Sequence, residues 1–112
     1  MKKLEEVVSL VPELTRADLE RWIREALIEA EKDEGGPVFS DTQFARVRLI
    51  CSLRYDMEVE EETLPVVLDL LDQLHDTRAR LHRLSQAVLA QDEEVRAAVL
   101  DLLSEVRRTR RR

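Results

Sequence analysis

Glycine, proline and cysteine are scarce in this chain: two, three and one respectively among 112 residues. With so few backbone breakers, and with Leu, Glu, Ala, Arg and Val dominating, the default reading is helix. The single cysteine, Cys51, excludes an internal disulfide and any multi-cysteine metal site. Set between Ile50 and Ser52 in an apolar helical stretch, it reads as a buried thiol in a reducing compartment. No apolar run is long enough for a signal peptide or a membrane span, and Lys2 and Lys3 are soon followed by Glu5 and Glu6, so a cytoplasmic location is expected. Catalytic signatures are missing as well. There is no Gly-x-Ser-x-Gly elbow, no phosphate-binding glycine loop and no recognisable pair of catalytic carboxylates. His75 and His82 stand seven apart, whereas metal ligands on one helix prefer i, i+4 spacing with further ligands nearby. They read as partly solvated surface histidines, and no enzymatic activity, cofactor or metal is expected.

What is present is charge and helical periodicity. The formal charge is −6, and the tail from Glu105 to Arg112 alone carries +4, so the remainder is about −10 by difference. A body of that sign repels phosphate backbones and attracts basic surfaces. The apolar fraction of 44% suffices for one core.

Leu4 to Val11 places Leu4, Val7, Val8 and Val11 on one helical face, and Pro12 ends the segment. Thr15 then makes an N-cap with Asp18 three residues on, and Leu19, Trp22, Ile23, Ala26 and Leu27 recur at helical spacing. Two helices joined by so short a turn cross steeply, as in a helix-turn-helix. Gly35-Gly36 predicts a tight reversal between Leu27–Ala30 and Val38–Phe39, a small β-hairpin or wing. Ser40 to Gln43 has capping-box spacing and opens a helix through Phe44, Val47, Ile50, Cys51 and Leu53, ending near Tyr55 or Asp56.

After the acidic run DMEVEEE, Pro65 suits the first turn of a new helix. There Leu70, Leu74, Thr77, Leu81, Leu84 and Val88 alternate steps of four and three, the period of a coiled-coil seam. The register continues through Gln91, Val95, Ala98 and Leu102 as one long helix; alternatively Asp92-Glu93-Glu94 starts a separate one, carrying Val95, Val99, Leu102 and Val106. Leucines left in water along the seam call for a partner helix, and a homodimer through this segment is the economical expectation.

The order of elements resembles the MerR-type winged helix-turn-helix, with TRADLERWIREALI matching that family's second helix at Leu19, Trp22 and Leu27-Ile28. Within that superfamily the chain is most similar to the chaperone-modulator (CbpM) family. The similarity rests on LERWIREALI, VFSDTQFARVRLICSLRYDMEV and the Leu-Pro followed by LDLLDQL from Leu64 to Leu74. It spans Leu4 to about Val88, and Gln91 to Arg112 lies outside it. The resemblance implies an all-α, mainly helical chain: a MerR-like winged helix-turn-helix domain over 1–62, a coiled-coil dimerisation segment over 63–106, and a disordered basic tail over 107–112.

The resemblance further implies a protein that binds the J-domain of a DnaJ-like co-chaperone and inhibits its stimulation of Hsp70. DNA-binding relatives usually carry Arg-Tyr on the second helix and Gly-Tyr-Arg in the wing. Here Glu20-Arg21 and Gly36-Pro37-Val38 stand instead, and a carboxylate repels phosphate. An acidic run is ordinarily just a solvated face. Because a J-domain uses a basic helix to engage Hsp70, the resemblance makes Glu58, Glu60, Glu61, Glu62, Asp69, Asp72 and Asp76 candidate contacts, with exposed Leu64 or Val67 as an apolar anchor. Two other readings stay open: a MerR-type DNA-binding transcriptional regulator, to which the arginine tail lends some support, and a purely structural coiled-coil dimer. Trp22 is expected in the core of the helix-turn-helix.

Overall fold

The structure is a computed structural model that describes the backbone of residues 1–110 and the side chains of residues 1–108. Its elements are β1 (Lys2–Lys3), α1 (Leu4–Leu10), α2 (Arg16–Arg24), β2 (Glu31–Asp33), β3 (Gly36–Phe39), α3 (Asp41–Cys51), a π-helical turn (Ser52–Asp56), α4 (Leu64–Leu89) and α5 (Glu93–Arg110). The chain divides into two units, Met1–Leu70 and the residues from Leu71 onward. That division falls later than the boundary expected at residue 62, because Leu64 and Leu68 in the first turns of α4 are buried with the N-terminal elements.

In the first unit, side chains punctuate the helices. The Thr15 hydroxyl accepts from the Asp18 N–H at 3.1 Å and starts α2; Ser40 accepts from the Gln43 N–H at 3.2 Å and starts α3. α2 stops at Arg24, since Ala26 takes a left-handed φ of 60°, so Leu27 and Ile28 follow the helix instead of closing it. The two residues are nonetheless buried.

The wing is present but begins later than expected. Leu27–Ala30 is not a strand, because side chains of α3 satisfy its backbone: Arg46 Nε donates to the Leu27 carbonyl at 2.6 Å and the Glu29 N–H donates to Gln43 Oε1 at 2.9 Å. The first strand is instead Glu31–Asp33, paired antiparallel with β3 in the register Glu31↔Val38 and Asp33↔Gly36. The φ of 108° at Gly36 is the position that requires glycine. On the other edge of β3 lies β1, with Lys2 opposite Phe39, a strand the sequence pattern does not signal.

The core consists of Leu4, Val7, Leu14, Leu19, Trp22, Leu27, Ile28, Val38, Phe39, Val47, Ile50, Cys51, Leu53, Leu64 and Leu68. α1 packs on α2 and β3, and α3 packs on β3. Burial holds the Cys51 thiol up at about 12, with Asp18, Asp56 and Glu13 adding to the effect, so it stays protonated and unreactive.

The second unit resolves the choice between one helix and two. α4 ends at Leu89, and Asp92 starts α5 by accepting the Val95 N–H on its carboxylate at 3.0 Å and the Arg96 N–H on its carbonyl at 3.0 Å. α5 continues through Arg107–Arg110, which corrects the expectation of a disordered tail from residue 107. Arginine is a good helix former, and cations suit the negative C-terminal end of the dipole. Residues 111 and 112 of that tail lie outside the described residues. Neither helix covers the other's apolar face: Leu81 and Leu84 are each 62% exposed and Leu102 is 63% exposed.

Candidate partner-binding surface

The acidic run between the π turn and α4 splits into one inward carboxylate and several outward ones. Glu61 turns in, where its Oε1 accepts from Arg21 Nη2 at 2.6 Å and from Arg54 Nε at 3.3 Å, and its Oε2 accepts from Trp22 Nε1 at 3.1 Å. Arg21 Nη2 also donates to Asp18 Oδ1 at 2.7 Å, and the Tyr55 hydroxyl donates to the other Asp18 oxygen. The Trp22 and Tyr55 rings lie 6.2 Å apart at a 42° tilt.

This network binds the second helix of the helix-turn-helix to the loop that precedes α4. Burial works against the Arg21 charge, but Glu61 and Asp18 outweigh it and hold the guanidinium above its ordinary pKa. Burial and the bond to Asp18 push the Tyr55 phenol well above its ordinary range.

The π turn makes the network possible. One extra residue per turn over Ser52–Asp56 rotates Arg54 and Tyr55 toward Glu61 and Asp18. The chain then leaves through a left-handed residue, Glu58, at φ 57°, with the Val59 N–H bonded back to the Leu53 carbonyl at 2.9 Å and the Met57 N–H to the Ser52 carbonyl at 3.0 Å.

Outside the network, Glu58, Glu60 and Glu62 are exposed, together with Met57 at 67% and Val66 at 59%. The segment 57–66 of the first unit thus carries exposed acidic and exposed apolar side chains together. The expected anchor is different: Leu64 is fully buried, because as the first residue of α4 it packs into the core, and this corrects its assignment as an exposed contact. Val67 is half-buried. Asp69 is exposed in the first unit, whereas Asp72 and Asp76 are exposed on the part of α4 that belongs to the second. Sequence reasoning did not single out the exposed Met57 and Val66, and it missed the internal role of Glu61; the adjacent Trp22 and Arg21 on α2 carry no sequence signal for a partner forty residues on.

The face that would meet nucleic acid shows the reverse arrangement, cations matched by carboxylates. Arg16 pairs with Glu20 at 2.9 Å and with Glu5 at 3.2 Å, and Arg21 is committed to Asp18 and Glu61. The groove between α1, α2 and the wing alternates Lys3, Arg16 and Arg24 with Glu5 and Glu20. On the wing itself Lys32 stands exposed among Glu31, Asp33 and Glu34. Neutralising phosphates requires cations that are available to them, and a paired arginine must first give up its carboxylate.

Among the described residues no helix is long and apolar enough to cross a membrane. No curated protein and no solved structure matches the chain. The model of the MerR HTH family regulatory protein matches residues 4–86, which takes in the helix-turn-helix, the wing and most of α4. With a match over that share of its length, and with the winged, mainly helical fold described above, the chain belongs to the MerR helix-turn-helix family of regulatory proteins.

Proposed function

We propose that this member of the family is a chaperone modulator: a cytoplasmic, non-enzymatic protein that binds the J-domain of a DnaJ-like co-chaperone and blocks its stimulation of Hsp70. The observation that carries the reading is the sorting of charge on the first unit. Arg16 and Arg21 of the helix-turn-helix are paired with carboxylates within the chain, leaving Arg24 as the remaining, exposed arginine of that helix, while Glu58, Glu60 and Glu62 are exposed in the segment that also carries exposed Met57 and Val66. Acidic groups steer the encounter with a basic helix, and the two apolar side chains supply contact area that charge alone does not. Asp69, and on the second unit Asp72 and Asp76, extend the acidic character along α4. A second copy of the chain, joined through the C-terminal helices, covers the exposed leucines and completes the molecule.

The test is a pull-down of the cognate J-domain by the full chain at low and high salt. Binding at low salt that weakens with salt supports the proposal, and no binding at low salt contradicts it. Family membership favours a second reading, a DNA-binding transcriptional regulator. Gel shifts with genomic fragments separate the two, since tight sequence-specific retention would place gene regulation first.

A further inference from the structure

The first unit carries a second concavity, apart from the groove between α1, α2 and the wing. It is a cavity of about 230 Å³ where the turn after α1 meets the end of α3 and the π turn. Small-molecule sites usually hold roughly 300–1,000 Å³, so this volume suits one long side chain. Val11, Pro12 and Tyr55 give it apolar walls, and Glu13 and Asp56 bring two carboxylates against the guanidinium of Arg48. In the groove beside the wing the balance is opposite, with Lys3, Arg16 and Arg24 against Glu5 and Glu20.

Cys51 also lines the cavity. Its side chain is only 6% exposed, and its thiol makes no hydrogen bond among the described residues. A thiol without a partner at the wall of a cavity is an open, weak acceptor for a donor that enters. The sign of that donor follows from its surroundings. Burial opposes charge of either sign at the sulfur, but Asp18, Asp56 and Glu13 oppose only negative charge. An anion is therefore kept out and a cation drawn in. No three of the described His, Cys, Asp and Glu side chains are grouped so as to hold a metal ion, whereas the apolar walls suit the stem of a lysine or arginine. Such a side chain lays its methylenes on Val11, Pro12 and Tyr55 and keeps its charged head at the carboxylates. The cavity also leads into the acidic loop: Asp56 is followed by Met57 and Glu58, and the Val59 N–H folds the loop back onto the Leu53 carbonyl.

We propose that this cavity is a socket for one lysine or arginine side chain of the basic helix that the loop attracts, its cation held by Glu13 and Asp56. That the helix belongs to a J-domain rests on the function proposed above; the socket itself does not.

Cys51 and Tyr55 are the sole cysteine and tyrosine of the chain, so carbon-13 labelling of each gives one signal from the wall of the cavity. Titrating hexalysine into the labelled full-length chain should shift both signals to saturation. Hexaglutamate should shift neither, and hexalysine should shift neither in a Glu13→Gln, Asp56→Asn variant. Both substituted residues are exposed, and circular dichroism with Trp22 fluorescence verifies that the variant folds. Calorimetry with the cognate J-domain supplies the affinities. The double variant should bind it on the order of tenfold more weakly at low salt. Arg48→Gln removes the cation that competes for the two carboxylates and should tighten binding about twofold, a direction that damage to the fold does not produce.

Cys51 and Tyr55 signals that stay in place, with hexalysine confined to the backbone of Glu58 to Glu62 or bound nowhere, overturn the socket. J-domain affinity unchanged by the double variant overturns it too and leaves the proposed function standing. A wild-type chain that binds no J-domain, yet whose Cys51 signal moves with hexalysine, keeps the socket and removes that partner.

Discussion

The two units of this chain are built from the same leucine-rich, charge-rich material and differ in where that material finds its contacts. Every buried apolar side chain among the described residues lies at or before Leu68, whereas Leu74, Leu81, Leu84, Leu89, Leu100, Leu102, Leu103 and Val106 beyond it remain exposed. Each fully buried leucine contributes about 1.5–3 kcal/mol, so the second unit leaves a large stabilisation unclaimed within one copy. The lesson is that a helical pattern specifies a face but not its partner. In the first unit the partner is another stretch of the same chain; in the second no described stretch of the chain supplies one.

The strongest test of this contrast sets one core residue against one seam residue. Trp22→Ala should lower the stability of the first unit by about 3–5 kcal/mol, seen as loss of cooperative thermal unfolding. Leu81→Ala should leave that transition in place and weaken self-association instead. Equal losses of first-unit stability in both variants would erase the distinction.

Within the acidic loop, Glu61→Gln should cost about 1–3 kcal/mol in urea unfolding, because the amide is uncharged and keeps only one acceptor oxygen, so either the arginines or Trp22 lose their bond, while Glu60→Gln should change stability by less than about 0.5 kcal/mol. In J-domain binding the ranking should invert, with Glu60 mattering as a contact.

A third test uses pH. Cys51 and Tyr55 both have folded-state pKa values raised above their unfolded ones, so their contribution is fully present below the unfolded values and is lost as pH rises. First-unit stability should therefore fall as pH climbs from 9.0 toward about 12, and Cys51→Val should flatten the first part of that fall. A profile unchanged by the substitution would mean that the thiol is not held neutral by the fold.

Smaller effects come from the backbone. Thr15→Ala removes the cap of α2 and should cost about 1 kcal/mol. Glu58→Gly relieves a left-handed residue and should stabilise by about 0.5–1 kcal/mol in the same melts.

Much of the first unit is legible in the sequence because its signals are local. Thr15 with Asp18, and Ser40 with Gln43, are caps whose donor and acceptor lie three residues apart, and the structure forms both bonds. The glycine pair marks the reversal of the wing. β1 is not legible, since a two-residue strand has no period and Lys2–Lys3 is defined only by its pairing to β3. Leu27–Ala30 has the pattern of a strand and is none, because the side chains that satisfy its backbone come from α3, well downstream.

The candidate surface is legible as a run of carboxylates but not as an arrangement. Glu60, Glu61 and Glu62 are identical in sequence terms, and only the position of Arg21, Trp22 and Arg54 turns the middle one inward. Leu64 stands beside that run in sequence and is buried because α4 begins inside the core. The break at Ala90 to Asp92 is visible in the sequence as one of two options, which the Asp92 cap decides.

A titration of the cognate J-domain against wild type and a Glu58→Gln, Glu60→Gln, Glu62→Gln variant at several salt concentrations measures most directly whether the outward carboxylates of the loop meet a basic protein helix, as proposed. The predicted result is binding that weakens with salt in the wild type, and weaker, less salt-dependent binding in the variant, which keeps Glu61 and so keeps its fold. Equal affinities and equal salt slopes for the two proteins, or no J-domain binding alongside tight retention of a specific DNA site, would contradict it.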